Sequence, residues 1–268
     1  MAKKLDAILY VCLYVAIYFF SNFIAGSIVP IFETLRLVVV GEIGWKAFFE
    51  RLSIALEIGS GGNIFEIISA MALSLLLIWF VLLIRRRRFF GAIKTKGLCF
   101  REVASAILIA FGLQAVAALV MKIPFPTVLF DTYSQNLNYG YSGGVAIGIL
   151  TVGLLVPFFE EILFRGIIYD ELSRGGGFWF SNFFQSLVFG LLHFDVIQGI
   201  YAFFIGFALG AVMKMGKSIY LSIIIHILFN VSNLLFSPYI AAVAAMPYFL
   251  VCGVVALILG YLLLIKKR

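Results

Sequence analysis

Long apolar runs separated by short polar breaks set the pattern of this chain. A helix needs about 20 apolar residues to cross a bilayer. Stretches of that kind run over about Leu5–Ile31, Asn63–Ile84, Glu102–Met121, Val145–Tyr169, Phe178–Phe194, Ile197–Met213, Ile219–Phe236 and Ala244–Ile265. The pattern predicts an all-α polytopic membrane protein of about eight transmembrane helices. Between the first two runs, Glu33–Gly62 mixes Arg36, Lys46 and Arg51 with Glu33, Glu42, Glu50 and Glu57. Its Trp45, Phe48, Phe49, Leu52 and Leu56 recur at helical spacing, which predicts an amphipathic surface helix ended by the Gly59-Ser60-Gly61-Gly62 turn. Lys122–Gly144 is polar and aromatic, holds Pro124 and Pro126, shows no helical period and reads as a loop. The chain therefore divides into an N-terminal membrane region (1–143), a core of successive spans (144–236) and a last span with a basic tail (237–268).

Composition strengthens this reading. Of 268 residues 63% are apolar and 12% charged, with a mean hydropathy of +1.12; a soluble domain carries about 25% charge. The spans leave no room for a separate soluble domain. The net charge of +7 is then a topology signal and does not point to nucleic acid. With a cytoplasmic N-terminus, Lys3, Lys4, the seven basic residues from Arg85 to Arg101, Arg174, Lys214, Lys217 and the Lys266-Lys267-Arg268 tail share one side, fifteen in all. Arg36, Lys46, Arg51 and Lys122 make four on the other side. Both termini are expected in the cytoplasm, of the plasma membrane if the source is bacterial. The Arg85–Arg88 run reads as a stop-transfer signal and an anchor for anionic membrane lipids. Cys12, Cys99 and Cys252 have no metal-type spacing. The N-terminal run after Lys3 and Lys4 is long enough to span, so it is expected to be a helix and not a cleaved signal peptide.

Three ionisable residues interrupt the fourth span: Glu160, Glu161 and Arg165. A charge at mid-membrane costs about 2.5–3.5 kcal/mol on insertion scales, which makes it a functional-site candidate. Arg165 lies one helical turn after Glu161 and is its expected partner. Glu160 points about 100° away and is left free. A structural ion-pair network that holds helices together would use the same residues. Two further positions weigh against that reading. The chain has two histidines, His193 closing the fifth span and His226 inside the seventh, with Asn230 one turn after His226 on the same face. Counted from the cytoplasmic ends, these residues fall within about 10 Å of one depth at 1.5 Å rise per residue. A carboxylate and an imidazole that share a water can activate it as a nucleophile. A second imidazole and a carboxamide can hold an oxyanion in a low-dielectric cavity. The set suffices for peptide-bond hydrolysis without a covalent intermediate.

Glu160-Glu161-x-x-x-Arg165, Phe189-x-x-x-His193 and His226-x-x-x-Asn230 resemble, in order and spacing, the three signature motifs of the CPBP intramembrane proteases. That family takes in type II CAAX prenyl endopeptidases and bacteriocin-processing or self-immunity proteins. The resemblance covers about Gly144–Phe236; the first three spans and the last carry no signature. It implies that Glu160 and His193 activate the water, that His226 and Asn230 stabilise the oxyanion, and that Glu161 and Arg165 support them. Phe189 reads as a packing residue. No cofactor is expected. If a divalent metal such as zinc takes part, Glu160, His193 and His226 are its ligands, although the spacing is not His-Glu-x-x-His and asparagine is a poor zinc ligand. The expected partner is a peptide precursor or a lipidated protein substrate, and the oligomeric state is open.

Other polar residues carry weaker patterns. Tyr169-Asp170 has no Gly-x-Gly-Asp counterpart. Ser222 lacks a nucleophile elbow and is expected to bond its own helix backbone. Asp195 is expected to be solvated at the outer interface. Gly206 and Gly210 form a small-residue packing face. Two other functions use the same residues: a non-enzymatic immunity or partner-binding membrane protein, and a transporter with a proton relay. The absence of detectable inverted repeats speaks against the transporter.

Overall fold

The computed structural model describes residues 2–58, 64–87, 97–140, 144–244 and 246–265. The expected Gly59–Gly62 turn, Arg88, Lys94, Lys96, the 143/144 boundary and the basic tail lie, wholly or in part, outside these residues. Among the described residues the chain is helical throughout, with α1 (Ala2–Val39), α2 (Trp45–Ile58), α3 (Ile64–Ile84), α4 (Phe100–Met121) and α5 (Thr127–Gly140) in its first half. A continuous helix α6 follows over Val145–Gly175. After it come α7 (Phe178–Leu191), α8 (Val196–Gly216), α9 (Ile219–Ala244) and α10 (Pro247–Ile265).

Seven of these helices are long and apolar enough to cross a membrane. The fifth expected span, α7, is 14 residues, about 21 Å at the helical rise. It does not reach across a bilayer of about 30 Å. The first span continues beyond Ile31 through Pro30 and Glu33 to Val39, so the amphipathic surface helix is shorter than expected and begins at Trp45. The stretch expected as a loop after Met121 contains α5. The prolines that argued against a helix lie before its first turn, where a proline breaks nothing.

Helix ends follow local chemistry. Cys99 N–H donates to the Glu102 carboxylate at 2.8 Å and starts α4. Asp195 accepts from Gln198 N–H at 2.7 Å and starts α8. Small residues let helices approach closely. On α4 and α10, a Cβ on Gly112 would stand 2.7 Å from Gly253 O. On α7 and α8, a Cβ on Gly190 would stand 2.6 Å from Gly199 O. The Gly206 and Gly210 face of α8 packs inward on α7, where Asn182, Gln185 and Ser186 are buried. Asn182 and Gln185 donate to Phe207 O and Gly206 O at 2.9 and 3.1 Å.

Two apolar cores result. One joins Val11 and Tyr14 of α1, Ile78 of α3, Phe159, Leu163 and Ile168 of α6, and Phe189 of α7. The other joins Ile109 and Leu113 of α4, Leu209 of α8, and Ile225 and Phe229 of α9. Large apolar side chains such as Phe20, Phe23, Leu83, Val251 and Leu262 remain on the outside. On helices of this length they are lipid-facing. The start of α1 and the ends of α3 and α6 meet at one end of the bundle: Gly175 lies against Lys4, and Arg85 lies 4.0 Å from Asp6.

Candidate active site

Helix α6 has two π segments, Ile149–Leu155 and Ile162–Ile168, on either side of a short α stretch that carries Glu160 and Glu161. Such segments, with an extra residue per turn, recur at functional sites. On the α stretch between them the two adjacent carboxylates point about 100° apart and meet different environments. Glu161 is sealed, and so is Arg165, whose Nη1 lies 2.9 Å from Glu161 Oε1. The guanidinium rests on the ring of Phe189, with 4.4 Å from Cζ to the centroid. Gly206 makes room for it: a Cβ there would lie 3.3 Å from Arg165 Nη2.

The same Glu161 oxygen accepts a hydrogen bond from His226 Nδ1 at 2.8 Å. A carboxylate only accepts, so Nδ1 carries the proton and Nε2 faces the other way. Nε2 lies 3.6 Å from Glu160 Oε2. Glu160 is the partly open member of the pair, with 18% of its side chain exposed against 0% for Glu161. His193 Nδ1 donates to Phe189 O at 2.8 Å, which leaves its Nε2 as an acceptor. Phe189 joins the parts, its centroid 4.9 Å from that of His193 and 5.8 Å from that of His226. Glu160 and His226 both act electrostatically on His193. Asn230 lies one turn after His226, and its Nδ2 donates to Val152 O at 2.9 Å.

The structure thus brings Glu160, Glu161, Arg165, His193 and His226 together, with Asn230 beside them. Two details add to the sequence reading. Glu160, expected to share a water with His193, has His226 Nε2 beside it at 3.6 Å. Glu161 holds Arg165 and also orients His226. Among the described residues no group of three or more His, Cys, Asp or Glu side chains is placed to hold a metal ion. Glu160, His193 and His226 do not form such a group.

Of the other residues weighed, Ser222 bonds Ile219 O at 2.9 Å, as expected. Asp195 is buried, because capping α8 draws its carboxylate onto the backbone N–H of Gln198. Phe189 packs, as expected, against both imidazoles and the guanidinium.

A second polar cluster escaped the sequence reading. Arg85 donates to both oxygens of Glu171, at 2.7 and 3.1 Å, and to the Tyr14 hydroxyl at 3.0 Å. Arg87 reaches Glu171 and Asp170. These two arginines turn into the protein, whereas the sequence reading placed the whole run on lipid headgroups. Glu171 is buried and requires paired donors. Burial opposes the charge of Arg85. The bonds to Glu171 and the charges of Glu171 and Tyr14 outweigh it, and hold the Arg85 pKa above the ordinary arginine value. A glutamate one turn inside the end of a span, opposite an arginine run, was the available signal.

Residues 142–232 match the family described as type II CAAX prenyl endopeptidase Rce1-like. A Bacillus subtilis (strain 168) protein named "Putative membrane peptidase YdiL" is 29% identical over 86 residues. That match covers 32% of this chain and spans about a third (35%) of the relative's length. No solved structure matches the chain.

Proposed function

We propose, from the match of residues 142–232 to the Rce1-like family, that the protein is an intramembrane endopeptidase that hydrolyses its substrate with an activated water. The carrying observation is the difference between two neighbouring carboxylates. Glu161 is sealed, with its Oε1 held by both Arg165 and His226, while Glu160 is partly open beside an imidazole nitrogen.

In this reading a water lies between Glu160 and His193, whose bare Nε2 gives it a second acceptor. Glu160 takes a proton as the water oxygen attacks the scissile carbonyl carbon. His226, held by Glu161 through Nδ1–H, donates from a protonated Nε2 to the developing oxyanion, and the second amide hydrogen of Asn230 supports it. When the C–N bond breaks, Glu160 returns its proton to the leaving amine. The new carboxyl group passes the remaining water proton to the amine, so a carboxylate, an ammonium group and free enzyme result, with no covalent intermediate. Arg165 offsets the charge of Glu161, so the site does not hold two unpaired carboxylates in a low-dielectric setting. The cytoplasmic placement of the N-terminal end belongs to this proposal. It is supported by Lys4, Arg85, Arg87 and Arg174 meeting at one end of the bundle.

The substrate is a membrane-associated protein or peptide precursor. A lipidated CAAX-type peptide and an unlipidated pro-peptide, each carrying a fluorogenic bond, distinguish the two classes when offered to the protein in vesicles with and without chelator. Cleavage of one of them, unchanged by chelator, is expected. Loss of cleavage with chelator would overturn the metal-free mechanism. No cleavage of either, with His226→Ala keeping full biological activity in the host, would overturn the protease reading in favour of a structural polar cluster.

A further inference from the structure

The helix that carries the two glutamates loses its regular hydrogen bonding just before them. At the end of the π segment Ile149–Leu155, Val156 N–H reaches back five residues to Thr151 O. In an α-helix it would have bonded Val152 O. The five-residue register assigns Val152 O to residue 157, which is proline and has no N–H. Val152 O is therefore left without a backbone donor inside a spanning helix. Such a carbonyl is costly in lipid and must find a partner elsewhere.

The partner comes from another helix. Asn230 of α9 donates to Val152 O at 2.9 Å. Gly153 lets α9 come close enough for this: a Cβ there would stand 3.0 Å from Val231 Cγ2. Four residues before Asn230 on the same helix, His226 makes its bond to Glu161. Two points one turn apart on α9 are thus tied to α6, one to a backbone carbonyl before the glutamates and one to a glutamate.

We infer that Pro157 and Asn230 act as a matched pair. Pro157 opens the carbonyl of Val152, Asn230 closes it, and that bond sets the rotation of α9 on α6 so that His226 Nε2 faces Glu160. In this role Asn230 is a positioning residue that acts through His226, using one amide hydrogen. The inference stands on backbone geometry, so its test uses no proteolysis and its failure is distinguishable from failure of the protease reading.

The experiment is a double-mutant cycle on the full chain in detergent micelles: wild type, Asn230→Ala, Pro157→Ala and both together. Two quantities are read, the thermal midpoint and the ¹⁵N imidazole resonances of histidine-labelled protein. The chain has two histidines, so His193→Ala identifies the His226 signal. Asn230→Ala is expected to lower the midpoint by about 2–4 °C, the shift typical of a lost hydrogen bond in a chain of this size, and to move the His226 signal. In the double variant the new N–H at residue 157 reaches Val152 O, and at least half of both changes is expected to reverse. Additive losses, or an unmoved His226 signal in Asn230→Ala, would overturn the inference. If Asn230→Ala does not fold, recovery of folded protein in the double variant is the supporting result. Failure of Pro157→Ala to fold, or of the double variant to restore folding, overturns it.

Discussion

Helix α6 carries two clusters built from the same parts, ten residues apart, and they end up as opposites. At Glu171, two arginines and a tyrosine converge on one carboxylate, and both of its oxygens accept hydrogen bonds. At Glu160 and Glu161, two carboxylates share one arginine and one histidine, and the more open carboxylate keeps unused acceptor capacity. The first cluster has more donors than its carboxylate needs and is a clamp. The second has fewer, and the partly open Glu160 faces the Nε2 of His226 at 3.6 Å. Burial of charge alone therefore does not distinguish the two clusters. The difference is a partly open carboxylate beside a buried ion pair.

The strongest way to break this contrast is to remove the charge that makes the second cluster tolerable. Arg165→Met leaves Glu161 buried with His226 alone. Unpairing a buried charge of this kind costs about 3–5 kcal/mol. Folded yield and thermal midpoint are expected to collapse, and adding Glu161→Gln is expected to recover part of the loss. A fold as stable as wild type after Arg165→Met would mean that the pair is not sealed as described.

Arg85→Lys sharpens the same contrast from the clamp side. Lysine cannot make the bidentate pair with Glu171. A loss of about 1–2 kcal/mol in unfolding stability is expected, on the scale of a charged hydrogen bond. Turnover per folded molecule is expected to hold, because Arg85 lies at the end of the bundle away from Glu160. A drop in turnover at unchanged stability would show that the clamp belongs to the chemistry.

Much of this was legible in the chain. The membrane class and most spans follow from runs of apolar residues, which no other fold class tolerates. The site residues stood out because glutamate, arginine and histidine are expensive in a span. The length of α7 was not legible. Leu192, His193 and Phe194 continue its apolar run, yet Phe194 takes a left-handed turn, at φ +52°, and Asp195 starts the next helix. Sequence spacing also did not reveal that Glu160 lies beside His226, since that depends on how α9 packs on α6. The buried Asn182, Gln185 and Ser186 stripe was visible as polarity in α7. Its purpose depends on α8 carbonyls that become reachable only at glycine contacts.

The most direct test of the central claim is Glu160→Gln in purified protein reconstituted into vesicles with the peptide that the wild type cleaves. Glutamine keeps the shape and removes the base. Turnover is expected to fall by about 10²–10⁴-fold, the range for a lost general base, with the thermal midpoint unchanged. Wild-type turnover in Glu160→Gln would contradict the account, because the open carboxylate would then not be the group that activates water.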